Sequence, residues 1–166
     1  MWYQIFVWLH ILAVAIWIGG MLFISYAVLP LIRHPSIFPI RAVLLTELGL
    51  RIRLVGWITL GVLLLTGTGM LLLRGYTWSD LVSAAFWQSA TGTILGWKLG
   101  LFALTVITTL AHDLYFGPKS ARLAEQLPED HPQRQRIRRI SSWLGRVIVL
   151  LALGISFLGV LLSRGW

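Results

Sequence analysis

The stretch LHILAVAIWIGGMLF, residues 9 to 23, is apolar almost throughout, yet it carries His10. At about 100° per residue, Tyr3, His10, Trp17 and Met21 fall on one stripe of a helix, with Ala13 and Gly20 beside it. Further along, Lys98, Thr105, Thr108 and His112 share a second stripe. Ionisable side chains inside apolar spans are costly and mark a pathway, a cofactor or a buried pair. The bland alternative for each histidine is an imidazole hydrogen-bonded to a neighbouring helix. The sequence has no cysteine and almost no carboxylate within its apolar runs, so a hard-ion site or a cysteine-type zinc site is poorly supplied. Haem b suits the inventory better. Its iron takes axial His or Met ligands, and its macrocycle needs an apolar slot bordered by small residues. Arg74 and Lys98, near span ends, are candidates to pair with the propionates or simply to snorkel to the interface.

Depth divides the two histidines. His10 lies on the outer side of its span's middle and His112 on the inner side of its own. Their levels differ by roughly 15 to 20 Å at 1.5 Å per residue. Either there are two sites or only one histidine is a ligand. His10 and His112 are both candidate axial ligands, with Trp17 and Gly20 lining the approach. At the outer level His10 would have Met70, Arg74 and Lys98 for company; at the inner level His112 would have Met21, Arg51, Arg53 and His34. Met70 is a weak candidate metal ligand, with core filler as its alternative. Asp113 either orders the His112 imidazole or caps the inner end of the span.

The elements that must position these residues follow from composition. Of 166 residues, 57% are hydrophobic and 12% charged, an excess of apolar side chains that points to a membrane protein. Nine Trp fit the same class, since indole rings gather at membrane interfaces. Four stretches, about 3–29, 55–73, 94–116 and 143–162, match the ~20 helical residues that cross a bilayer core. The first is too long for a signal-peptide core and lacks a basic leader, so it is expected to be retained. Leu29-Pro30, Arg74-Gly75 and Gly117-Pro118 are expected to end the first three spans. Loops 30–54 and 117–142 connect them on one side, the latter with a short surface helix and a turn around Pro128 to Pro132.

Arg33, Arg41, Arg51, Arg53, Lys119, Arg122, Arg134, Arg136, Arg138, Arg139 and Arg146 all fall on the side of those two loops, leaving Arg74, Lys98 and Arg164 on the other. By the positive-inside rule both termini face outward, the periplasm in a bacterium, and the two loops are cytoplasmic. The net charge of +8 is therefore read as topology and contact with anionic lipid, not as a nucleic-acid signal. Small residues such as Gly61, Gly67, Gly69, Gly154, Gly159 and Ser163 let backbones approach. The expected fold is all-α, an integral membrane antiparallel four-helix bundle forming a single transmembrane domain.

The runs LHILAVAIWIGGMLF, RLVGWITLGVLLLTGTGMLLLRG and WKLGLFALTVITTLAHDLYFGP resemble the copper-resistance D (CopD) membrane family and its small stand-alone relatives. The first and third spans are more distantly similar to the HemJ-type protoporphyrinogen oxidases. The resemblance implies a four-helix unit of the bacterial inner membrane, associated with copper entry in the one family and with haem and porphyrinogen oxidation in the other. His10, Trp17, Gly20 and Lys98 match positions in both groups. His112, Asp113, Gly117 and Pro118 match the small copper-resistance D relatives better. The chain is about half the length of full copper-resistance D proteins and lacks the Cys or Met clusters that Cu(I) favours.

Three functions are expected to compete. The first is a haem b protein for electron transfer or redox chemistry. The second is a copper-handling module with His10, Met70 and Met21 as a sparse relay. The third is a non-catalytic subunit or assembly factor of a larger membrane complex. Expected partners are the lipid bilayer and other membrane or respiratory proteins, with a second copy of the chain among the candidates. No acid/base or nucleophile constellation stands out, so the residues name no reaction.

Overall fold

The computed structural model of the chain describes residues 1–32 and 34–164, and the side chains of all of these except Phe38, Arg41, Ala42 and Arg164. Arg33, counted above among the basic loop residues, lies outside the described residues. All regular structure among the described residues is helical. This is what apolar runs must form in lipid, where every backbone N–H and C=O needs an internal partner. Four helical stretches are long and apolar enough to cross a membrane: Trp2–Ile32, Val43–Leu73, Ala90–Gln126 and Pro132–Ser163.

The chain divides into two units, Met1–Ser83 and Ala84–Trp166. In the first, α1 (Trp2–Phe23) runs through a π-turn (Ile24–Val28) into α2 (Leu29–Ile32). A 3-10 segment, Pro35–Ile40, then leads to α3 (Arg41–Leu73). α1 and α3 pack antiparallel, with Tyr3 beside Arg74, Phe6 against Gly69 and His10 beside Thr66. The short α4 (Trp78–Leu81) closes the unit. In the second unit α5 (Ala84–Gln88) precedes α6 (Ala90–Ala111). A π-turn (His112–Phe116) follows, then α7 (Gly117–Gln126) and α8 (Pro132–Arg164). α6 and α8 are also antiparallel, Lys98 facing Gly159 and Leu101 facing Gly154.

The two units repeat one plan. Each has a 22-residue helix, a five-residue π-turn, a proline two residues on, and a returning 33-residue helix. In sequence the two returning stretches close alike, with GMLLLRG at 69–75 and GVLLSRG at 159–165. This duplication was not read from the sequence, because side-chain identities between the halves are sparse outside that ending.

Two expected helix ends are corrected. Neither Leu29-Pro30 nor Gly117-Pro118 stops its helix; both prolines sit inside continuing helical chain. Proline lacks an N–H and presses on the carbonyl four residues back. Each π-turn widens the helix just before it, with the Leu29 N–H reaching back to the Ile24 carbonyl and the Gly117 N–H to the His112 carbonyl. Local π geometry of this kind lets proline persist in membrane helices. The stretches expected as loops 30–54 and 117–142 are accordingly mostly helical. At 1.5 Å per residue α3 and α8 are each about 50 Å long, so their basic N-terminal halves extend beyond a ~30 Å core. Arg74-Gly75 does end α3, and Gly75 takes a φ of 91° that favours glycine.

Candidate functional site

The seam between α1 and α3 holds the first candidate. Ala13 and Trp17 are buried on α1, and Thr59, Leu60, Leu63 and Thr66 are buried on α3. His10 lies on the same stripe of α1, and its Nδ1 is 2.7 Å from the Thr66 hydroxyl. Thr66 donates its own proton to the Val62 carbonyl at 2.6 Å. With that proton committed, the hydroxyl oxygen accepts, and the imidazole must donate from Nδ1. In this arrangement Nδ1 carries a hydrogen and the ring is anchored to α3. The ring packs beside Gly67, where a Cβ would lie 3.7 Å from His10 Cε1, an ordinary van der Waals contact.

Toward the N-terminal end of α1, Arg74 donates to the Tyr3 hydroxyl from Nε at 3.0 Å and from Nη2 at 2.7 Å. Its guanidinium carbon stands 5.4 Å from the Tyr3 ring centroid. The turn beyond is fastened by a capping box. Thr77 accepts from the Asp80 amide, while the Asp80 carboxylate accepts from the Thr77 amide and hydroxyl, both at 2.7 Å. These bonds to Thr77 hold the Asp80 carboxyl below the usual carboxylate range.

The second unit places Lys98 at the position equivalent to His10, the same distance before its proline. Lys98 too meets a glycine of the returning helix, a Cβ at Gly159 falling 3.4 Å from Nζ. Deeper along α6, Thr105 is fully buried and Thr108 nearly so, donating to the Leu101 and Leu104 carbonyls at 2.8 and 2.7 Å. Thr109 differs, its buried hydroxyl having no hydrogen-bond partner. His112 Nδ1 lies 2.9 Å from Asp113 Oδ1, so Asp113 orients the imidazole.

Of the sequence candidates, His10 and Trp17 share one buried seam, and Arg74 pairs with Tyr3 in the same unit. Met70 is half-buried on α3, one turn beyond Thr66. Gly20 is exposed, with open space where a Cβ would point, as at Gly19. Lys98 and His112 belong to the second unit. Of the inner-level group, Arg53 has a buried Nε and His34 turns to its neighbour Ser36 at 2.8 Å. Thr66 is the residue the sequence reading passed over. Its signal was present in LLLTGTG, where a hydroxyl precedes a glycine on the face that packs against another helix. Read as packing alone, that run hid the partner of His10.

Both histidines thus have an anchored Nδ1, one by a hydroxyl and one by a carboxylate, an arrangement that metal-ligating imidazoles share. No cluster of three or more His, Asp or Glu side chains with metal-holding geometry occurs among the described residues. Among known proteins, the chain is 29% identical over 164 residues to a protein of Aquifex aeolicus (strain VF5) described as uncharacterized. The match covers 98% of this chain and 96% of that one. No protein-family model matches the chain, and no solved structure does.

Proposed function

We propose that the protein binds haem b in its first unit, with His10 as an axial ligand, for electron transfer or redox chemistry. The observation that carries this reading is the His10–Thr66 bond, which anchors Nδ1 and orients the imidazole. The surroundings suit the group: apolar side chains share the seam with the Thr59 and Thr66 hydroxyls, both satisfied on their own helix, Gly19 and Gly20 leave open backbone on α1, and Arg74 supplies a cation for a propionate. When bound, haem would supply a one-electron couple. The protein's own residues would orient the ligand through Thr66, exclude water with Trp17 and balance charge with Arg74. The distant resemblance to the HemJ-type proteins supports the same reading, and the concentration of basic residues at one end of the spans supports an orientation by the positive-inside rule. On that basis the protein belongs in a bacterial inner membrane, with both termini outside.

The test is an optical spectrum of the full chain purified in detergent after expression with ample haem. A Soret band lost in His10→Ala and kept in His112→Ala supports the proposal. A colourless parent protein overturns it. Metal analysis of that colourless protein then separates copper handling from a subunit that binds no cofactor.

A further inference from the structure

The N-terminal half of α8 carries a feature that haem binding does not use. Arg136, Arg139, Trp143 and Arg146 recur at helical spacing on one stripe, and all four are exposed. The same stripe continues as Leu150 and Phe157, 65% and 63% exposed. No acidic residue occurs anywhere in α8. A run of cations thus passes through one indole into an apolar track, all on one open face of a single helix.

The membrane boundary falls at that indole. From Trp143 to Ser163 the helix rises about 30 Å, the thickness of a hydrocarbon core. Side chains on a helix lean toward its N-terminus. Arg146 therefore reaches back from just inside the core, and its guanidinium carbon lies 5.3 Å from the Trp143 ring centroid. A second aromatic and cation pair marks the same end of the unit: Lys119 donates to the Tyr115 hydroxyl at 2.8 Å and stands 4.8 Å from the ring centroid. The returning helix of the first unit has no such stripe. Its corresponding half contains Glu47, and its Arg53 has a buried Nε. Since the first unit forms the same hairpin without the stripe, the hairpin does not require it.

We propose that this face of α8 is a binding site for one anionic phospholipid of the leaflet on the side of the basic helix ends. Arg146 and Arg139 hold the phosphate, the Trp143 indole lies at the glycerol level, and an acyl chain follows Leu150 and Phe157. Charge complementarity selects the anionic headgroup. The apolar continuation selects a lipid over a free anion.

Native mass spectrometry of the full chain in detergent, titrated with phosphatidylglycerol, phosphatidylcholine or inorganic phosphate, tests the assignment. Phosphatidylglycerol should be retained in preference to the other two. At the energy per basic residue near a charged surface, Arg139→Gln with Arg146→Gln should weaken retention roughly thirtyfold, while Arg51→Gln changes it less than about twofold. Arg139→Lys with Arg146→Lys should keep most of the binding, and added salt should weaken it in the parent protein. Equal retention of phosphatidylcholine, equal binding of inorganic phosphate, or salt-insensitive binding in the parent would overturn the proposal. So would unchanged retention in a double glutamine variant that keeps its helicity.

Discussion

The Nδ1 of His10 and the hydroxyl of Thr66 lie 2.7 Å apart across the seam between α1 and α3, and the Thr66 proton is already committed to the Val62 carbonyl. A threonine in a membrane helix commonly satisfies itself on the carbonyl one turn back, as Thr59, Thr105 and Thr108 do here. Thr66 does this and also accepts, so one side chain both closes its own helix and fixes the orientation of an imidazole on another.

Thr66→Val should remove that orientation while keeping the shape of the seam. Loss of an outer-shell partner typically lowers affinity for a bound metal group by about 10–100-fold, and the same loss is expected for haem. Thr66→Ser, which keeps the hydroxyl, should bind nearly as the parent does. A haem titration of the three proteins followed by the Soret absorbance distinguishes these outcomes.

Arg74 and Tyr3 separate a structural from a cofactor role at the N-terminal end of α1. The pair is exposed, so Tyr3→Phe should cost no more than about 1 kcal/mol of stability. If Arg74 balances a propionate, Arg74→Gln should weaken haem binding, while Tyr3→Phe leaves it unchanged. Equal effects of the two substitutions on haem affinity would count against the propionate role.

At Gly69 the backbone of α3 meets an aromatic ring of α1. The Phe6 ring lies directly over it, and a Cβ there would overlap the ring. Gly69→Ala should destabilise the hairpin by about 1–3 kcal/mol, as overpacking does. Combining it with Phe6→Leu should recover part of the loss. Unfolding in a denaturing detergent, followed by circular dichroism, reads both effects.

Asp80 gives the loop after α3 a defined response to acid. Its carboxyl is held below the ordinary value of 3.8 by Thr77, so the capping box is favoured above that value and lost as pH falls through the lower folded value. The amide shift of Thr77 should follow this titration in nuclear magnetic resonance spectra. In Asp80→Asn the titration should vanish.

Apolar length and composition made legible the four stretches long enough to cross a membrane, and the 100° stripe that joins part-buried His10 to buried Trp17 runs along the seam with α3. The pairing of His10 was not legible, because Thr66 lies 56 residues away and only the register between α1 and α3 joins them. Pro30 and Pro118 misled for a related reason. A proline reads as a stop signal, and the compensating turn before it has no signature in residue type: Ile24–Val28 is ISYAV and His112–Phe116 is HDLYF. Asp113 left two roles open in the sequence, and its 2.9 Å bond to His112 decides for orientation of the ring.

Those widened turns also act as phase shifters. A π-turn uses close to one residue more per revolution than the helix on either side of it. Every side chain beyond Val28 or Phe116 is therefore rotated by most of a residue's step, roughly 100°, relative to an uninterrupted helical wheel. Deleting one residue within either turn should restore ordinary helical winding, press the proline ring onto the chain behind it, and point the whole following segment in a new direction. In each half of the molecule, one surplus residue sets the heading of the chain as it leaves the membrane.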